Sequence, residues 1–231
     1  EEKEIPVIVA ADVSTSMLFS VREGEHKAKL LFELVGVLGF TAVLYRDPFG
    51  LVGFSDRIEP YFKPKVSGRR VFYLVKTIFE RVEALREGRE RRNASFKMLF
   101  EFLISRLKRR HCLIIVSDFA DVIGRDNGSI DFNLLRRLTS RHDVVAIFLD
   151  DPEEFELKGR LGSLREKNME SGEITTIPVS QVGKWREFIE TKRRELMDEF
   201  RRLGIDSLVL SYGNHLEDLA KFLKGRKIRR R

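Results

Sequence analysis

The chain has 231 residues, 34% of them charged and 42% hydrophobic, with a formal net charge of +7 and one cysteine. This length and balance suit one large domain with its own core, and they exclude a disordered chain and a disulfide-built scaffold. No apolar stretch is long enough to cross a bilayer as a helix. The charge is localised: residues 224–231 hold 6 of the 43 Lys+Arg and no acid, which leaves 37 basic against 36 acidic residues elsewhere. The expected picture is a near-neutral body, residues 1–223, followed by a solvated basic tail able to touch acidic lipid, nucleic acid or an acidic partner. No signal peptide is visible, and the lone Cys112 cannot form an internal disulfide, so the cytoplasm is the expected compartment. The chain opens on Glu1, and an upstream segment, including a membrane tether, is allowed for.

In chain order, Ile5 to Ala11 is an almost unbroken apolar run of the length and branching of a strand buried on both faces. It leads into Asp12-Val13-Ser14-Thr15-Ser16. His26 to Arg46 reads as a helix on Leu30, Leu31, Leu34, Val35, Leu38 and Ala42, with Gly36 and Gly39 admitting close packing on a sheet. Asp47-Pro48 ends it. Phe49 to Phe54 and Ile58 to Phe62 form an antiparallel pair across a tight turn, and Pro60 and Pro64 put the second strand at an edge.

Helices are expected over Arg69–Glu87 and over residues 94–109, joined by a polar loop. Cys112 to Val116 is a second buried strand, ending at Ser117-Asp118-Phe119-Ala120-Asp121. A short helix over Phe132–Ser140 precedes a third such strand, Asp143–Leu149, which ends at Asp150 and Asp151. Residues 160–178 read as a hairpin excursion, Gly162–Glu166 against Ile174–Pro178. A helix over Val182–Leu203, with Trp185 and Phe188 in the core, a strand over Ser207–Leu210 and a helix over Leu216–Leu223 complete the chain. Strand and helix alternate throughout. The fold class is therefore α/β: three layers, a doubly wound, Rossmann-like and mostly parallel sheet with one antiparallel edge strand.

Right-handed crossovers bring the carboxyl ends of the parallel strands to one rim, where open α/β sheets keep their ligand sites. Asp12, Ser14, Ser16, Asp118, Asp121 and Asp150 should share that rim. Carboxylates gathered there repel one another unless a positive charge sits among them. An all-oxygen set of hydroxyls and carboxylates suits Mg²⁺ or Mn²⁺, with Ca²⁺ as a further option, better than zinc. The four histidines have no zinc-like spacing.

Asp12-Val13-Ser14-Thr15-Ser16 resembles the D-x-S-x-S signature of von Willebrand factor type A (vWA) domains, and Ser117-Asp118-Phe119 resembles the loop that supplies their second acid. The run DVSTSM, GLVGFSD, LIIVSDFAD and RHDVVAIFLDDPEE is most similar to a bacterial and archaeal branch of unknown function, often encoded beside MoxR-type AAA+ ATPases. The resemblance implies a metal-ion-dependent adhesion site. In it Ser14 and Ser16 would bind the ion directly, Asp12 and Asp118 directly or through water, and a partner's carboxylate would complete the shell. The family's threonine is missing: Ala94 stands in its place, with Asn93 and Ser95 as the nearest oxygen donors.

The function expected is a non-catalytic protein-interaction module, an adaptor acting with a MoxR-type ATPase or its client. An Mg²⁺-dependent phosphohydrolase or phosphotransferase built on Asp12 is the alternative, but the second acid such enzymes carry two residues on is here Ser14. Nucleic-acid binding through the basic tail and the stretches Arg89–Arg92 and Arg106–Arg110 is a further alternative, and arginines on amphipathic helices ordinarily form a solvated face.

Overall fold

The computed structural model describes residues 5–18, 27–86, 92–124, 130–151, 163–167 and 174–229, without the side chains of 85–86, 163–167, 174–182 and 227–229. His26, Arg89 to Arg91, Glu153, Glu154 and the tip of the expected hairpin lie outside the described residues. The strands are β1 (Val7–Asp12), β2 (Phe49–Phe54), β3 (Ile58–Lys65), β4 (Cys112–Ser117), β5 (Asp143–Leu149), β6 (Ser163–Lys167), β7 (Ile174–Pro178) and β8 (Asp206–Leu210). The helices are α1 (Lys27–Leu44), α2 (Gly68–Arg86), α3 (Phe96–Arg106), α4 (Ala120–Ile123), α5 (Phe132–Thr139), α6 (Val179–Arg202) and α7 (His215–Arg229), with a 3₁₀ turn at Thr15–Leu18.

The main sheet runs β3-β2-β1-β4-β5-β8, parallel except for the antiparallel β2–β3 pair, and β6 and β7 form a separate antiparallel hairpin. This is the doubly wound, mostly parallel plan with one antiparallel edge strand expected from the sequence. Alternation along the buried strands divides the core in two. Val9, Ala11, Ile114, Val116, Val145 and Ile147 face one cluster, against α1, α2 and α7. Ile8, Ala10, Leu113, Ile115, Val144 and Phe148 face the other, against α3, α5 and α6. β3 runs three residues further than expected and passes both prolines, which an edge position tolerates because one side carries no ladder. A Cβ at Gly53 would lie 1.9 Å from the Glu59 carbonyl oxygen, so only glycine lets β3 approach this closely. At Gly39 a Cβ would meet Val71 at 2.7 Å and Phe49 at 2.9 Å, which is the close helix packing that glycine foreshadowed.

Two expectations are corrected. The basic end is no free tail: α7 continues through it to Arg229, and Arg226 is buried. Its guanidinium donates to Asp143 at 2.8 Å and pairs with Asp206, the first residues of β5 and β8. Trp185 and Phe188 stack on each other at 5.4 Å, with Phe188 exposed, because α6 packs its second half, Leu196 and Phe200, on the sheet.

His142, buried where α5 turns into β5, accepts a hydrogen bond at Nδ1 from the His111 amide at 3.3 Å. Burial, then His111 and Arg141, push its pKa down to about 4. The unfolded chain takes up this proton near pH 6.5 and the folded chain only near 4, so the stability it contributes is lost as pH falls between those values. The His142→Asn variant keeps an acceptor without the titration. Urea melts from pH 7 to 4 should show the native protein losing about 2 kcal/mol more than this variant; parallel losses would refute the assignment.

Candidate metal centre

β1 ends on Asp12 and β4 on Ser117, adjacent parallel strands at the centre of the sheet. Asp12 is fully buried. Its Oδ1 accepts the Ser14 amide at 2.8 Å and its Oδ2 accepts the Ser117 hydroxyl at 2.5 Å. This fixes the turn after β1 and swings both serine hydroxyls toward β4. Ser14 Oγ lies 3.1 Å from Ser16 Oγ, and Ser16 Oγ donates to Asp118 Oδ1 at 3.1 Å. Four residues, Asp12, Ser14, Ser16 and Asp118, are thus brought together from turns more than a hundred residues apart.

The Asp118 turn is held by an unusual backbone. Phe119 has φ 54° and ψ 22°, the left-handed region that a side chain of this size rarely adopts. Its amide donates to Ser117 Oγ at 2.8 Å, and the Ala120 amide donates to Asp118 Oδ1 at 3.0 Å. The ring is wedged into the core, stacked on Phe96 at 5.0 Å and against Phe148 at 4.2 Å and Phe200 at 5.8 Å. These contacts offset a backbone cost of about 1–2 kcal/mol.

Sequence reasoning missed Lys27. Its ammonium sits 2.5 Å from Asp118 Oδ2, with both side chains buried. A signal was present: Lys27 shares the helical stripe of Leu30, Leu31 and Leu34, and a lysine on a buried stripe needs a carboxylate. Ser117 was likewise passed over as part of a strand end, although its hydroxyl links Asp12 to the Phe119 amide. The Asp12 carboxyl is pushed up to about 7, by burial first and by the charge of Asp118 second, against the hydrogen bonds from Ser117 and Ser14.

The other candidates are placed differently. Asp121 Oδ2 accepts the Ala94 amide at 2.5 Å. Ser95 caps α3, accepting the Met98 amide at 3.4 Å. Asn93 lies in the same loop, which is tied to the site: the Thr15 hydroxyl accepts the Arg92 amide at 2.8 Å, and the Thr15 amide donates to the Arg92 carbonyl at 2.9 Å. Asp150 pairs with Arg193 of α6 at 2.7 Å. The buried Arg92 guanidinium reaches Glu59 at 3.1 Å and Asp56 at 3.4 Å, and Arg57 and Arg81 also pair with Glu59. Three guanidiniums thus gather around Glu59 beside the rim.

Among the described residues no group of three or more His, Cys, Asp or Glu is placed to hold a metal. The oxygens that the turns bring together are Ser14 Oγ, Ser16 Oγ and Asp118 Oδ1, with Asp12 behind them. Adjacent ligands of an octahedral ion with metal–oxygen distances of about 2.1 Å stand about 3.0 Å apart. The two 3.1 Å separations fit that requirement. Both Asp12 oxygens already accept hydrogen bonds, which suits a contact through water better than a direct one.

Residues 1–198 match the family described as "Protein of unknown function DUF58". No curated protein matches the sequence significantly. Among solved structures, the conserved hypothetical protein BatB from Bacteroides thetaiotaomicron aligns at TM-score 0.59 and 13% identity, over 95% of this chain and 99% of that one. An aerotolerance-related membrane protein from Bacteroides fragilis aligns at TM-score 0.59 and 11% identity, over 98% and 100%. A von Willebrand factor type A domain from Catenulispora acidiphila aligns more loosely, at TM-score 0.39 and 12% identity, over 82% and 42%. At these identities the first two likenesses concern fold alone. Among the described residues no helix is long and apolar enough to cross a membrane.

Proposed function

We propose that this chain, which belongs to the DUF58 family of unknown function, is a non-catalytic protein-interaction domain whose β1–β4 rim takes Mg²⁺ or Mn²⁺ and, through it, a partner's carboxylate. The observation that carries this reading is the convergence of Ser14 Oγ, Ser16 Oγ and Asp118 Oδ1 at 3.1 Å spacing on the rim. Bound there, the ion supplies a positive centre able to accept one more oxygen ligand. Asp12 holds the two serines in place through the Ser14 amide.

A buried Asp12 with both oxygens engaged is poorly presented as a phosphoryl-accepting nucleophile, which supports the non-catalytic reading. We propose one domain through α7, with the β6–β7 hairpin as an excursion, acting beside a MoxR-type ATPase or its client. We place it at the cytoplasmic side of a membrane through a tether outside this chain, in keeping with the neighbour described as a membrane protein.

Calorimetric titration with Mg²⁺ and with Mn²⁺ tests the site. The native chain should bind one ion weakly, on the order of 0.1–1 mM, because the ion keeps waters and Lys27 repels it. A Ser14→Ala/Ser16→Ala double variant should show no binding. Identical heats from the two proteins would end the metal reading.

A further inference from the structure

At the end of the sheet opposite the Asp12 rim, the molecule exposes side chains of a kind usually buried. α1 runs down to Leu44 beside the start of β2, β3 ends at Lys65 opposite Phe49, and α2 begins at Gly68, so all three meet at the amino edge of the parallel strands. Leu44 is 78% exposed, Tyr45 and Phe72 67%, and Tyr73 58%. Phe40 of α1, one helical turn before Leu44, packs edge-on against Phe72 of α2 at 4.8 Å, and Phe62 of β3 packs against Tyr73 at 5.7 Å, which joins α1, α2 and β3 in one surface. Apolar exposure this dense on a water-soluble face marks an interaction site.

The surrounding charge identifies the partner. Arg46, Lys65 and Arg69 are exposed in the turns that border these elements, and Arg70 lies over the Phe62 ring at 5.9 Å. The acid in these turns, Asp47, is half-buried. Aromatic and leucine side chains ringed by Lys and Arg match a bilayer surface with anionic headgroups: rings and Leu44 enter the boundary, while the cations stay among the phosphates. A second copy of the chain fits poorly, because a two-fold contact would set these cations against themselves.

We propose that this α1–α2–β3 end is a docking face for an anionic membrane surface. The Asp12 rim then points away from the lipid, open to a partner in solution. The face is independent of any ion at that rim.

Flotation of the whole chain with phosphatidylcholine vesicles, and with an equal mixture of phosphatidylcholine and phosphatidylglycerol, tests it. The native chain should float with the anionic vesicles and not with the neutral ones. Leu44→Ser/Phe72→Ser and, separately, Lys65→Glu/Arg69→Glu should each lower the bound fraction about tenfold. All four positions are exposed, and circular dichroism should confirm unchanged folding. Equal flotation with both vesicles, or double variants that bind like the native chain, would overturn the proposal. So would a native chain that binds neither vesicle but sediments as a dimer dissolved by Leu44→Ser/Phe72→Ser, which would give the face to a second copy.

Discussion

The Lys27→Met variant should lose about 3 kcal/mol of stability in the absence of divalent ions, on the order of 10 °C in Tm for a domain of this size. Lys27 contributes the ammonium that meets Asp118 Oδ2 at 2.5 Å, and Asp118 in turn raises the pKa of the fully buried Asp12. Methionine preserves the bulk of the stem among Leu30, Leu31 and their neighbours but leaves two carboxyl groups without a buried cation. The same change removes the charge that opposes a divalent ion. Mg²⁺ or Mn²⁺ should therefore raise the Tm of the variant far more than that of the native chain, because an ion that binds only the folded form stabilises it by mass action. Calorimetry should show binding about tenfold tighter than native. A variant with the native Tm would mean that Asp118 does not depend on Lys27. A destabilised variant that Mg²⁺ and Mn²⁺ leave untouched would make Lys27 a structural partner only, and would remove the ion from the proposed function.

Arg226→Met should cost a further large amount, again about 3 kcal/mol by urea denaturation. The Arg226 guanidinium spans Asp143 and Asp206, at the starts of neighbouring strands, with both Arg226 and Asp143 mostly buried. Without it Asp143 and Asp206, which lies opposite Val145 two residues further along β5, lose the cation they share. Arg226→Lys, which keeps the charge but not the planar fork that reaches both acids, should recover about half of the loss. Truncation after Lys224 should match Arg226→Met. An unchanged urea midpoint in either would restore the solvated tail that composition suggested. The same result bears on any nucleic-acid assay of this end: a deletion of 224–231 would disturb the fold as well as remove charge, so loss of binding in that deletant would not identify a contact.

Most of the architecture is legible because burial on both faces imposes a simple signature. Val7–Ala11, Leu113–Val116 and Val144–Leu149 are apolar at every position, as central parallel strands require, and the order of strands and helices then leaves few topologies. Pro60 and Pro64 marked the edge strand, and Gly39 marked the place where α1 presses on α2 and β2. The convergence of Asp12, Ser14, Ser16 and Asp118 followed from topology as well as from the D-x-S-x-S resemblance. The two cations whose burial sequence reasoning did not foresee share one cause. Lys27 precedes Leu30 and Leu31 at helical spacing, and Arg226 follows Leu219, Phe222 and Leu223 in the same way, so each falls on an apolar stripe. A charged residue in a basic neighbourhood reads as part of a solvated face unless its helical phase is followed. The acids that accept them, Asp118, Asp143 and Asp206, lie on other elements and give no local signal. Trp185 and Phe188 failed in the opposite sense, since aromatic spacing cannot tell a buried half of a helix from one that runs past its support.

The left-handed Phe119 gives the rim a mechanical dependence on the distant layer. The carboxylate of Asp118 and the ring of Phe119 sit on consecutive residues, one facing the rim and the other clamped by Phe96 of α3, Phe148 of β5 and Phe200 of α6. A sideways shift of α6 that loosened the clamp would let the peptide relax toward an ordinary conformation and swing Asp118 away from Ser16. Placement of the Asp118 carboxylate and seating of that helix are then two readings of one latch.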